Sequence, residues 1–472
     1  MDLRLSLLFI CLYNQGVINA QVSEDESTPL VPLIPLIPSK PAEKNESTPQ
    51  SDVTNTTSPP MMMTTSAPEE DSEEEDEGCA TIGRTLESRE AIAASVQKLG
   101  VQLLQNLQTS PEKPNVILSP FSISLALSQL ALGAVNETEE LLMHHLHDNT
   151  LTCHHHALNH ILAQLRNTDL KIATRIFLRQ GFKPKEDFIN ESKRLYDSEP
   201  AVLESLKDIN DWVEDATNGK MTNFLSALPP NMLLMLINAV HFKGEWEARF
   251  DPRSTSKGAF YLDEKHMVEV DMMENAKHPL SLLIDSELES QVAVFPFVKE
   301  MSFLVIMPMS GHVNVSSLAA KLNISSLYDR LPKKRVVQVK FPKFKLEYAQ
   351  ELQEVFTKLG LGQLFSNPNL ADIADGPLMV SSVLHKSTMD INEEGAEAAA
   401  ATTVVISRAS QPVFHLTHPF LFALMDDKTK IPVFMGVINN PNPGAPILQR
   451  EESGKKEKAG FPSDKSEMSP PK

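Results

Sequence analysis

Helical spacing and extended apolar runs occupy different halves of this chain and never alternate. Ile92, Val96, Leu99, Leu103 and Leu107 recur at three- and four-residue steps, which predicts an amphipathic helix from about Thr85. Further helices are expected over Ser122–Gly133 and over Ile209–Phe224, the latter carrying Trp212 and Val213. Beyond them the apolar residues gather into short runs: Met232–Val240, Val292–Phe297, Phe303–Met307, Val336–Phe341, Phe420–Leu424 and Val433–Ile438. Met425–Pro432, between the last two, reads as a hairpin turn. Helices first and strands second, without a βαβ rhythm, predict an α+β domain.

The 472 residues exceed what one such domain needs, and the surplus lies at the ends. Arg4 precedes a short apolar run, Leu5–Leu12, and Ile18 and Ala20 suit a signal-peptidase cut, so residues 1–20 read as a secretory signal. Residues 21–84 are rich in Pro, Ser, Thr and acid and cannot bury enough apolar surface to fold, so they read as a disordered tail. Glu69–Glu77 is acidic at every position but Ser72, and it accounts for much of the net charge of −19. That charge argues against nucleic acid and anionic membrane as partners. After Pro443 the chain turns polar and basic, which sets the domain at 85–443 and a second tail at 444–472.

A secreted, extracellular protein also fits the cysteines and sequons. Cys11 leaves with the signal, and Cys79 and Cys153 remain to form a disulfide. Asn45, Asn55, Asn136, Asn190, Asn314 and Asn323 each open an Asn-x-Ser/Thr sequon, together the pattern of a glycoprotein.

Enzyme readings fail. The chain has no G-x-S-x-G elbow, H-E-x-x-H helix, Walker loop or dinucleotide fingerprint. His144, His145, His147, His154, His155, His156 and His160 crowd one stretch. Zinc or copper is a known use of such spacing, but a polar helix face with its connecting loop is the favoured reading, and no metal or cofactor is expected. Weak acid-dependent binding of polyanions is a side reading.

Function concentrates in Glu393–Ser410. An alanine run follows Gly395, then Thr402–Ile406 is β-branched throughout, then comes Arg408. Small residues first and strand formers second make the segment ambivalent between helix and strand. It is also too long for a plain connection between strand-like Leu384–Ile391 and Val413–Leu416.

With these residues in view, the chain resembles a serpin over nearly all of 85–443. The resemblance is carried by Ser119-Pro120-Phe121-Ser122-Ile123, by Ile209-Asn210-Asp211-Trp212-Val213, by Asn238 with His241-Phe242-Lys243-Gly244-Glu245-Trp246, and by Phe420-Leu421-Phe422 with Pro432–Gly436. It implies three β-sheets, eight to nine helices and an exposed reactive-centre loop. It also implies a shutter cluster of Ser119, Ser122, Asn238 and His385, a breach at Trp246, and a loop hinge at Gly395, Ala396, Ala398, Ala400 and Thr402.

In that family a protease cuts the loop, forms an acyl-enzyme, and is carried off as the loop enters the central sheet as a new strand. Strand alternation puts Ala396, Ala398, Ala400 and Thr402 on one face and the single charge, Glu397, on the other. That phase implies an inhibitor, with Arg408–Ala409 as the reactive bond presented to trypsin-like proteases. The family's usual count from Glu393 falls one residue later, after Ala409, which leaves an elastase-like cut there as an overlapping minor activity.

Among serpins the resemblance is to the plasma members that inhibit plasmin and so regulate fibrinolysis. Gly460-Phe461-Pro462 and Pro471-Lys472 carry it in the tail, where Lys465 and Lys472 would dock into plasminogen kringles. It also implies Gln21 as a transglutaminase acceptor for crosslinking to fibrin. The acidic stretch before Cys79 is closer to the complement-protease member, so a complement or contact-pathway inhibitor is the alternative, along with a non-inhibitory carrier or chaperone.

Overall fold

The computed structural model describes residues 77–147, 151–310, 318–396 and 411–450. Its helices, after a helical stretch at 77–82, are α1 (Leu86–Asn106), α2 (Pro120–Ala131), α3 (Glu137–His147), α4 (His154–Leu165), α5 (Glu186–Tyr196), α6 (Leu206–Ala216), α7 (Ile324–Arg330) and α8 (Gln353–Phe356). The strands are β1 (Val116–Leu118), β2 (Leu170–Arg179), β3 (Ala201–Leu203), β4 (Leu234–Lys243), β5 (Ser256–Tyr261), β6 (His266–Asp285), β7 (Ser290–Pro296) and β8 (Met301–Pro308). They continue with β9 (Arg335–Pro342), β10 (Phe344–Glu351), β11 (Val380–Ile391), β12 (Val413–His415), β13 (Phe420–Asp426), β14 (Pro432–Ile438) and β15 (Leu448–Gln449).

Five strands in the order β10-β11-β4-β2-β3 make the central sheet. The other ten form two limbs that share the 20-residue β6: β1-β14-β13-β8-β7 continue from one end of it, and β9 and β12, with β5 and β15, from the other. The expected three sheets and α+β class follow from that shared strand. β4 is buried along nine of its ten residues, so it reads as one continuous apolar run, the pattern of a strand covered on both faces. Leu234, Leu236, Val240 and Phe242 join the main core on one face. Met235, Ile237 and Ala239 on the other pack with Ile209 and Val213 of α6.

Several boundaries differ from the sequence reading. α2 starts at Pro120, with Ser119 as its cap and proline at the first turn, where its missing N–H costs nothing. α6 stops at Ala216 because Asn218 and Gly219 take positive φ (54° and 70°) and turn the chain. Cys79 lies in the helical stretch at 77–82, ahead of the expected start at Thr85, and is bonded to Cys153, 74 residues on. Beyond Pro443, Leu448 and Gln449 pair with Met267 and His266, and the Arg450 guanidinium lies 4.9 Å over the Tyr261 ring. The chain thus stays on the folded body past its expected end.

The histidines do not all share one solvated face: His144 is exposed and His145, His155, His156 and His160 are half-buried. His147 and His154 are buried with ring centroids 4.6 Å apart, and His154 Nε2 pairs with Ser128 Oγ at 2.8 Å. Burial, then the neighbouring charges of His156, His147 and Arg194, holds the His155 pKa down to about 4.

Candidate functional site

β4 and β11 lie side by side and parallel from Leu234↔Val380 to Lys243↔Asp390, and the segment that leads to the alanine run starts at their upper end. There Glu393, Glu394 and Gly395 meet the turn after β4. Trp246 N–H donates to Glu394 O at 3.0 Å, Ala396 N–H to Trp246 O at 2.8 Å, and Phe250 N–H to Glu393 O at 3.1 Å. Gly395 and Trp246 form a parallel bridge. A Cβ on Gly395 would stand 2.5 Å from Trp246 O and 3.0 Å from Arg249 Cα, so only glycine fits this approach.

Trp246 is fully buried. Its ring stacks on Phe297 at 4.2 Å, and Nε1 donates to Asn392 O at 2.7 Å, which leaves its one polar atom satisfied. Two ion pairs brace the acidic pair, Lys243 with Glu394 at 2.7 Å and Lys343 with Glu393 at 2.8 Å. Burial pulls the Glu393 carboxyl upward, but Lys343 and the Thr255 hydroxyl outweigh it and leave the pKa below the usual carboxylate range.

Halfway down the paired β4 and β11 is a closed polar network. Asn238 Oδ1 accepts from Ser122 Oγ at 2.8 Å and from His385 Nδ1 at 2.6 Å. Its Nδ2 donates to Ser122 O at 2.8 Å and to Thr174 Oγ1 at 3.0 Å. Ser119 N–H donates to His385 Nε2 at 3.3 Å. A neutral imidazole protonated on Nδ1 satisfies both ring nitrogens. Burial holds the His385 pKa down to about 3, which keeps that form at neutral pH. The sequence reading grouped these side chains but missed Thr174, which lies on β2, a strand it did not identify.

Past the loop the chain resumes at Gln411, whose Nε2 donates to Ala276 O at 2.5 Å, and β12 then pairs in parallel with β9. The structure therefore brings together Ser119, Ser122, Asn238 and His385 beside the β4–β11 pairing, with Trp246, Gly395 and Ala396 at its head. Ala398, Ala400, Thr402, Arg408, Ala409, Gln21, Asn45, Asn55, Asn314, Lys465 and Lys472 lie outside the described residues. Asn136, Asn190 and Asn323 are exposed, Asn323 as the cap of α7.

A family model described as serpin (serine protease inhibitor) matches residues 94–441, and the chain belongs to the serpin family. Alpha-2-antiplasmin of mouse (Mus musculus) is 40% identical over 395 residues, covering 81% of this chain and 80% of the relative. Alpha-2-antiplasmin of cattle (Bos taurus) is 40% identical over 373 residues, covering 78% of this chain and 76% of the relative. Among solved structures, mouse protein-Z dependent protease inhibitor superposes with a TM-score of 0.68 at 25% identity, covering 75% of this chain and 98% of that one.

Proposed function

We propose that this chain is a secreted glycoprotein that traps trypsin-like serine proteases, plasmin foremost, by offering Arg408–Ala409 as a bond to cut. The protease serine attacks the Arg408 carbonyl, the Arg408–Ala409 C–N bond breaks, and Ala409 leaves as an amine carrying the proton relayed by the protease histidine. An ester to Arg408 remains. The freed strand starting at Gly395 then enters between β4 and β11, carrying the protease with it.

One observation carries this reading: Gly395 sits at the head of a parallel pair whose separation would admit one strand antiparallel to both partners. One parallel ladder is then exchanged for two antiparallel ones, a net gain of backbone hydrogen bonds. Ala396, Ala398, Ala400 and Thr402 are small enough to pass beneath α6. The likeness to alpha-2-antiplasmin supports plasmin as target, with Lys465 and Lys472 docking on its kringles and Gln21 available for crosslinking to fibrin.

Incubation with plasmin tests the proposal. An SDS-resistant complex and release of a fragment starting at Ala409 are expected, and cleavage without a complex would instead indicate a non-inhibitory serpin. Removing residues 451–472 should slow association with plasmin but not with its isolated protease domain. Equal slowing, or none, would remove the kringle-docking part.

A further inference from the structure

Among the described residues, two hydrogen bonds between side chains cross the gap from β4 to β11. One is Asn238–His385, already described. The other joins His241 Nδ1 and Thr388 Oγ1 at 2.6 Å, and these two residues are direct register partners. His241 is three residues beyond Asn238, and Thr388 three beyond His385, so the second bond lies on the opposite face of the sheet. Lys386, on the same face as Thr388, has its ammonium 6.0 Å over the Phe224 ring, which places that face under the segment following α6. The gap is therefore stitched from both sides. The outer stitch lies nearer Gly395 and is the first that a strand entering from the loop end would meet.

We propose that His241 and Thr388 form a clasp that sets how fast the central sheet opens to an incoming strand. This rests on the insertion reading given above. Both partners are buried, so neither can exchange its partner for water until the strands part. The clasp is also an uncharged one at neutral pH. Burial and the ammonium of Lys220, with Lys345 and Lys243, hold the His241 pKa down to about 4 against the pull of Asp390. His241 and Thr388 are positioning residues: they touch neither protease nor scissile bond.

The test is uptake of a synthetic peptide copying residues 395–407, followed by native gel and by melting temperature of the intact chain. Thr388→Val and His241→Phe should take up the peptide roughly three- to tenfold faster than the parent chain. The double variant should be no faster than either single one, since one bond is lost in each. Thr388→Ser, which restores the hydroxyl, should behave like the parent. Equal rates for Thr388→Val and Thr388→Ser would overturn the clasp while leaving insertion intact. No peptide uptake by the parent chain would overturn the insertion reading and the clasp with it.

Discussion

The Cβ that Gly395 lacks would lie 2.5 Å from the carbonyl oxygen of Trp246, closer than any real side-chain carbon sits to backbone oxygen. Trp246 is pinned on three sides, by its stack on Phe297, its Nε1 bond to Asn392 O and its antiparallel bridge to Phe297, so it cannot retreat. The strain of any larger residue therefore falls on the 393–396 segment.

Gly395→Ala is expected to break the Glu394 O and Ala396 N–H bonds to Trp246 and to destabilise the intact chain by about 1–3 kcal/mol. Calorimetry gives the stability change. Titration of a trypsin-like protease should also show more than one inhibitor consumed per protease, because a displaced hinge delays insertion while deacylation continues. A stability within about 0.5 kcal/mol of the parent would contradict the close approach.

Asn238→Ala removes the acceptor shared by Ser122 and His385 and the donor to Thr174. The buried Ser122 and His385 and the half-buried Thr174 each lose a partner, at about 1–3 kcal/mol for each buried group left unrelieved. A loss of about 3 kcal/mol or more in unfolding free energy is expected from denaturant titration. A loss below 1 kcal/mol would show that the network is not closed as described.

Acid should weaken the fold through its buried histidines. His278 sits against Phe250 at 4.7 Å with its Nε2 lacking a partner, and burial holds its pKa down to about 4. The unfolded value is about 6.5. A depressed histidine contributes stability in full above about pH 6.5, and that contribution falls away as pH drops through the window to about 4. His278→Phe keeps the ring stack and removes the titration. The melting temperature should fall less between pH 7.5 and pH 5 in this variant than in the parent. An identical slope would place the acid sensitivity elsewhere, in His241 or His385.

The parts of the fold written in strong local signals were legible in the sequence. Ser119-Pro120 marks a helix start, and Phe420–Ile438 a hairpin, because capping and turn chemistry are short-range. β10 was missed although Phe344, Leu346 and Tyr348 alternate cleanly with exposed Lys345 and Glu347, a period-two signal in plain view. β6 offered less: charged residues and a register shift between Asn275 and His278 interrupt its pattern, and only pairing with partners far along the chain holds it extended. The end of the body was placed too early, although Ile447 and Leu448 follow Pro446 as an apolar pair.

At the site, the residue types on one face of β4 were readable, but their partners were not. Nothing near Thr388 in the sequence indicates His241, since they meet only through parallel pairing of strands 147 residues apart. Gly395 was read as the opening of an ambivalent segment, and its contact with Trp246 gives the reason for glycine there.

Insertion itself is tested most directly by melting the chain before and after a single cut between Gly395 and Ser410. Two new antiparallel ladders alongside β4 and β11 should raise the melting temperature by about 10 °C or more. An unchanged or lower melting temperature in the cut chain would mean that no strand enters the gap, and the trapping mechanism would fall.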